Sequence, residues 1–259
     1  MRERYAAPGR MILGSDSHTR YGAYGTMAIG EGGPELARPL LQKTYDIAYP
    51  KVIGICLTGA PRPGVGPQDV ALAIIGATFR EGIVKNAVME FFGPGVASLS
   101  MDYRSGIDVM TTETACLSSI WETDGAVEEY LAIHGRPEAY EALHPQEGAY
   151  YDSMITIDLS KVEPMAALPF HPAEAYPIRE LMANPGDIFR EVEKRAAEQF
   201  GGKVNLSLTD KLVEYLPGCW KWDKARVKRI LDNIKYTGVG EFPPIIKEGD
   251  FQMAHRKKE

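Results

Sequence analysis

Cysteine and histidine are scarce in this chain, three and five among 259 residues. The cysteines stand at positions 56, 116 and 219, an odd number spaced too widely for any C-x-x-C pair, so neither a disulfide scaffold nor a zinc module is expected. Nowhere do eighteen apolar residues follow one another, which leaves no candidate membrane span. The opening Met1-Arg2-Glu3-Arg4-Tyr5 lacks the apolar stretch of a secretory signal. These absences lead us to expect a cytoplasmic protein with reduced thiols. Neither an internal repeat nor a low-complexity tract is present. What remains is ordinary globular composition, 44% hydrophobic and 25% charged, enough to bury a sizeable core.

The net charge of −6 is unevenly distributed. Residues 211–259 carry 11 Lys/Arg against 7 Asp/Glu, whereas residues 1–210 carry 18 against 28. Two of the three tryptophans, Trp220 and Trp222, also lie in the basic part, and we mark a boundary near Leu212. Within 211–259, Val227, Ile230, Leu231 and Ile234 fall at helical spacing and predict one amphipathic helix. Its basic neighbours Lys224, Arg226, Lys228 and Arg229 read as a solvated face rather than a nucleic-acid contact.

Before that boundary, short apolar runs alternate with helical patterns, which predicts an α/β layered fold. Strands are expected at 11–13, 51–57, 87–92 and 154–159. Helices are expected near 34–46, 68–79, 96–104, 124–134 and 137–143, and an extended piece over 164–177. α/β folds gather their chemistry on loops at strand ends. The best such loop is Gly14-Ser15-Asp16-Ser17-His18-Thr19, followed by Gly22, Gly25, Gly30, Gly32 and Gly33. A carboxylate, a hydroxyl and an imidazole in three residues can supply a base, an oriented partner and a donor, beside glycines that let backbone approach a ligand. The alternative is a turn in which Asp16 or Ser17 caps backbone amides and His18 packs on the next segment. Neither a G-x-S-x-G nucleophile elbow nor a G-x-G-x-x-G dinucleotide loop occurs.

The run Gly14 to Thr19 resembles the G-[ST]-D-S-H-T signature of the aconitase and isopropylmalate dehydratase superfamily. The resemblance continues through Thr58-Gly59, Gly66-Pro67-Gln68-Asp69-Val70 and Thr112-Glu113-Thr114-Ala115. It extends further through Tyr151-Asp152 to Leu159-Ser160, Glu163-Pro164 and Leu168-Pro169-Phe170-His171-Pro172. It covers about residues 1–205. It implies a three-layer α/β/α fold with subdomains of about 1–110 and 111–210. It also implies a hydro-lyase that dehydrates and rehydrates a hydroxy-polycarboxylate such as citrate or isocitrate. By the same resemblance Asp16, Ser17, His18 and Glu113 are the expected catalytic residues, with His18 paired to Glu113 and Ser17 beside the substrate. Asp16 would orient a second histidine that the family carries before this signature. Arg20, and Tyr21 after it, would contact the anionic substrate.

The resemblance further implies a [4Fe–4S] cluster held by three cysteines, with one iron open as a Lewis acid. The cysteine motifs that hold it in the family are absent here. Cys56 and Cys116 read as small buried hydrophobes, and Cys219 lacks the asparagine that follows a family ligand. The chain is therefore expected to be part of a longer hydratase, inactive alone, with a second polypeptide supplying the cluster cysteines. A noncatalytic carboxylate- or nucleic-acid-binding module and an inert truncation product are the alternatives. His134 and His144 read as helix C-terminal residues, His171 as a turn residue and His255 as part of a charged tail.

Overall fold

The computed structural model describes residues 1–41, 44–204 and 206–212. The expected amphipathic helix of the basic segment, together with Cys219 and His255, lies outside the described residues. The chain divides into two compact units, Met1–Ala183 and Asn184 onward.

The first unit is built on a parallel sheet, as the strand–helix alternation requires. Its strands are β3 (Val52–Thr58), β4 (Val88–Phe92), β5 (Ser118–Trp121) and β6 (Ser153–Asp158), in the spatial order β5-β4-β3-β6. Gly54 of β3 pairs with Glu90 of β4 on one side and with Met154 of β6 on the other. Two shorter strands, β1 (Met11–Gly14) and β2 (Met27–Gly30), pair in parallel to each other. β2 is tied to β5 where the Ser118 hydroxyl donates to the Ala28 carbonyl at 2.7 Å. Strands β7 (Met165–Ala167) and β8 (Ala175–Pro177) form a separate antiparallel pair inside the stretch expected to be extended.

Parallel strands need long crossovers, and helices fill them here. α1 (Gly33–Leu40) follows β2, α2 (Pro67–Thr78) joins β3 to β4, α3 (Met101–Val109) joins β4 to β5, and α4 (Gly125–Ile133) follows β5. The segment around 137–143, expected as a helix, makes only a single 3-10 turn at Pro137–Ala139. α5 (Ile178–Ala183) closes the unit. Local chemistry explains the start of α2. Pro67 occupies a first-turn position whose missing N–H costs nothing there. Asp69 accepts the Gly66 N–H at 2.7 Å and, through its other oxygen, the Met165 N–H at 2.7 Å. One carboxylate thus caps the helix and anchors β7.

Alternation along the strands sends Ile53, Ile55 and Leu57 of β3, Met89 and Phe91 of β4 and Trp121 of β5 into one core with Val70 and Ile74 of α2 and Ile107 of α3. Phe91 and Trp121 stack with ring centroids 4.3 Å apart. The opposite sheet face is more open. There Phe92 and Tyr151 stack over Gly54, whose missing side chain admits them, and Met154 is exposed. Among the described residues no helix is long and apolar enough to cross a membrane.

In the second unit, α6 (Pro185–Gln199) buries Ile188, Phe189, Val192 and Ala196. The Glu193 carboxylate accepts the Thr209 N–H at 2.7 Å and its hydroxyl at 2.9 Å, which fixes the start of α7 (Leu208–Leu212) against α6.

Candidate active site

The Asp16-Ser17-His18 loop exists because two glycines make room for it. Gly14 and Gly30 are register partners at the ends of β1 and β2. A side chain on Gly14 would collide with Thr19, and one on Gly30 would collide with the Asp16 carbonyl and stand 2.9 Å from the Ser17 Cα. With both positions bare, the chain leaving β1 folds back over the strand ends. The turn is closed by the Thr19 N–H donating to the Asp16 carbonyl at 2.9 Å. The Asp16 carboxylate accepts the His18 N–H at 2.6 Å, an Asx turn of the kind this residue favours. Asp16 therefore does cap a backbone amide, while His18 stays half-exposed instead of packing away.

Glu113 arrives from another part of the chain. It lies in the 3-10 turn Met110–Thr114 that continues α3, and the turn ends where Ala115 adopts a left-handed φ of 61°. Its Oε1 stands 3.5 Å from His18 Nε2. On the other side of the ring, Nδ1 lies 3.2 Å from the Ser17 hydroxyl and 3.6 Å from Asp16 Oδ1. The imidazole is thus flanked by two carboxylates and a hydroxyl. Glu113 faces Nε2 while Ser17 and Asp16 face Nδ1, so the tautomer of the ring decides which nitrogen donates and which accepts. Asp16, Ser17, His18 and Glu113 come together as one constellation. It is open to solvent, with 76% of the Asp16 side chain exposed. An imidazole so placed can hold a proton, give it up or accept one, while Ser17 offers a hydroxyl at the same edge.

Arg20 is placed differently from the substrate contact expected of it. Its guanidinium is buried and donates to the carbonyls of Thr19 (3.3 Å), Ala28 (3.3 Å) and Cys116 (3.2 Å), and its Nε has no partner among the described residues. The carbonyls of Thr19 and Cys116, with that of Ala28, which also accepts from Ser118, converge on one point inside the fold and draw the cation inward. Beneath it lies Asp108, only 1% exposed, whose Oδ1 accepts from the Ser119 hydroxyl at 2.7 Å and Trp121 Nε1 at 2.9 Å. Burial pushes the Asp108 carboxyl up, against the opposing effects of those donors, the Ala23 amide and the charge of Arg20. Thr112, next to Glu113, donates its hydroxyl to the Ser17 carbonyl at 2.8 Å. Sequence reasoning singled out neither Asp108 nor Thr112 as site support: no local pattern marks Asp108, and Thr112, though inside the motif that carries Glu113, meets its partner 95 positions away.

The other described histidines lie apart from this constellation. His134 caps α4 with its ring 2.7 Å from the Tyr130 carbonyl. His144 lies 3.5 Å from Glu122. His171 stacks on Phe79 and accepts the Ala173 N–H.

Residues 1–215 match the model of the aconitase family (aconitate hydratase). The chain is 36% identical over 184 residues to the mitochondrial aconitate hydratase of Schizosaccharomyces pombe, covering 68% of this chain and 23% of that protein. It is 35% identical over 184 residues to the mitochondrial aconitate hydratase of Gracilaria gracilis, covering 68% and 24%. It is also 30% identical over 256 residues to the mitochondrial homocitrate dehydratase of Saccharomyces cerevisiae, covering 94% and 30%. The chain thus spans less than a third of the length of these curated relatives.

Proposed function

The chain belongs to the aconitase family, and from that premise we propose that it carries part of a hydro-lyase site for a hydroxy-polycarboxylate. The observation that carries this reading is the His18–Glu113 pair, 3.5 Å apart beside Ser17. In dehydration a hydroxyl leaves one carbon and a proton leaves its neighbour. An imidazolium whose Nε2–H faces a carboxylate can hand its Nδ1 proton to the departing hydroxyl, becoming neutral imidazole, and take it back on rehydration, while the proton from the neighbouring carbon goes to a base that the rest of the site supplies. Ser17, within hydrogen-bond reach of the same ring, faces the substrate in this reading, and Asp16 fixes the loop through the His18 amide. Arg20 acts from behind the loop, since its guanidinium is enclosed by carbonyls.

Family membership implies a [4Fe–4S] cluster. The two described thiols do not fit one. Cys116 is buried with its Sγ 3.4 Å from the Thr111 carbonyl, and Cys56 sits within β3. Among the described residues no three His, Cys, Asp or Glu side chains gather as a metal site. In our reading the cluster ligands come from polypeptide beyond these residues, and a second chain is one source of them. The chain by itself then binds substrate without turning it over.

Citrate titrated into the full ¹⁵N-labelled chain tests this. The amide resonances of Ser17, His18, Thr112 and Glu113 are expected to move together, and Glu113→Gln is expected to abolish the single Nε2–H tautomer of His18. Citrate that leaves those four resonances in place, or a wild-type His18 with mixed tautomers, would overturn the reading.

A further inference from the structure

The His18–Glu113 contact joins two side chains on solvent-open loops, and little packing surrounds the ring to hold it. His18 retains 47% of its side-chain exposure and Glu113 28%. Two rotamer-rich groups in water do not keep a 3.5 Å relationship unless their backbones are already registered. Two polar ties supply that register, one on each side of the pair. Before it, the Thr112 hydroxyl donates to the Ser17 carbonyl at 2.8 Å, linking the residue that precedes Glu113 to the residue that precedes His18. After it, Arg20 donates to the Cys116 carbonyl at 3.2 Å, linking the segment past His18 to the segment past Glu113. Arg20 also holds the Ala28 carbonyl of β2, so the second tie is anchored to the sheet.

We infer that Thr112 and Arg20 are positioning residues that set the separation of His18 from Glu113, and through it the tautomer of His18. This rests on the reading of that pair as the reactive one. Neither residue touches the space beside Ser17 and His18 where a substrate would sit. Thr112 spends its one donor on a main-chain carbonyl, and Arg20 is closed in. Their effect reaches the ring only through Ser17 and through the turn that carries Glu113. The two differ in what their loss does elsewhere. Removing Arg20 frees carbonyls inside the fold, whereas replacing Thr112 by the isosteric valine deletes one hydroxyl at an exposed contact.

The test uses the full chain with ¹⁵N-histidine at about pH 8, where unperturbed imidazoles are neutral and two-bond ¹H–¹⁵N correlation spectra report the tautomer. Thr112→Val is expected to replace the single Nε2–H form of His18 by a mixture while Glu113 is still present. Thr112→Ser, which keeps the donor, is expected to retain the single form, and His134, His144 and His171 are expected to be unchanged in both. Arg20→Lys, which cannot span the same carbonyls with a planar fork, is expected to give the same loss as Thr112→Val. A Thr112→Val chain that keeps the single tautomer overturns the inference. The outcomes separate it from the reading beneath it. If Glu113→Gln produces the mixture and Thr112→Val does not, the pair stands and the ties fail. If Glu113→Gln leaves the tautomer untouched, the pair itself fails.

Discussion

Arg104 grips both carboxylate oxygens of Asp124, Nη1 to Oδ1 at 2.8 Å and Nη2 to Oδ2 at 2.6 Å. Its remaining donors reach the carbonyls of Leu99 and Val96, both at 3.0 Å, and the side chain is 1% exposed. Asp124 is also the cap of α4, accepting the Ala126 N–H at 3.1 Å. Asp124→Ala would leave a buried guanidinium without a counter-charge. We expect a loss of about 3–5 kcal/mol, read from urea unfolding.

The same carboxylate sets an acid limit on stability. Burial pushes Asp124 upward, but the hydrogen bonds and charge of Arg104, with the amides of Ala126 and Val127, outweigh it and hold the group below its usual 3.8. A depressed folded value gives stability that is complete above the unfolded value and disappears as pH falls through the folded one. Unfolding midpoints measured downward from pH 5 should therefore fall more steeply below 3.8 in the wild type than in Asp124→Asn.

Asp108 has the opposite sign. Burial holds its carboxyl above the usual 3.8, so the native state binds the proton more readily than the unfolded chain. Its contribution is greatest in acid and declines as pH rises from 3.8 through the raised folded value. Asp108→Asn keeps an acceptor for Ser119 and Trp121 and cannot ionise. The expected result is a flatter dependence of unfolding free energy on pH above 3.8 than in the wild type.

Gly30 supports the loop by having no side chain. Gly30→Ala should shift the Asp16 and Ser17 backbone, weaken citrate binding and cost about 1–3 kcal/mol through overpacking. Gly33→Ala, whose added carbon meets nothing within 4 Å, is the control and should leave the amide spectrum of the loop unchanged.

Cys116 and Cys56 should differ in reactivity. Burial pushes the Cys116 thiol up, and the nucleophile is the thiolate. In the folded chain, iodoacetamide labelling mapped by mass spectrometry should modify Cys56, which is half-buried, well before Cys116. Cys116 should become reactive only on addition of denaturant.

Patterns confined to a few neighbouring residues were legible before the fold was known. The apolar run of β3, the Pro67–Asp69 start of α2 and the α4 segment each carry their signal locally. β5 does not. Its Ser118-Ser119-Ile120-Trp121 has weak strand character and becomes a strand because β4 offers a ladder and because buried acceptors, the Ala28 carbonyl and Asp108, receive the two hydroxyls. β2, only Met27–Gly30, was hidden among glycines for the same reason. α6 was missed although Pro185 and the spacing of Ile188, Val192 and Ala196 mark it.

For the site, the sequence by itself determined the polar groups of the Asp16–His18 loop and the turn that bears them. Asp16, Ser17 and His18 are adjacent, and the turn they form follows from their own side chains and two bare glycines. Glu113 as the partner of His18 was named by resemblance, and the 3.5 Å distance between them is a property of the fold alone. So is the inward turn of Arg20. A cation beside a signature loop could face either way, and the carbonyls of Thr19 and of Cys116 in the segment after Glu113 decided it, because a buried carbonyl left unpaired costs more than an exposed guanidinium gains. Residues 95 positions apart meet only when the sheet is assembled, and no local rule of propensity or spacing contains that information.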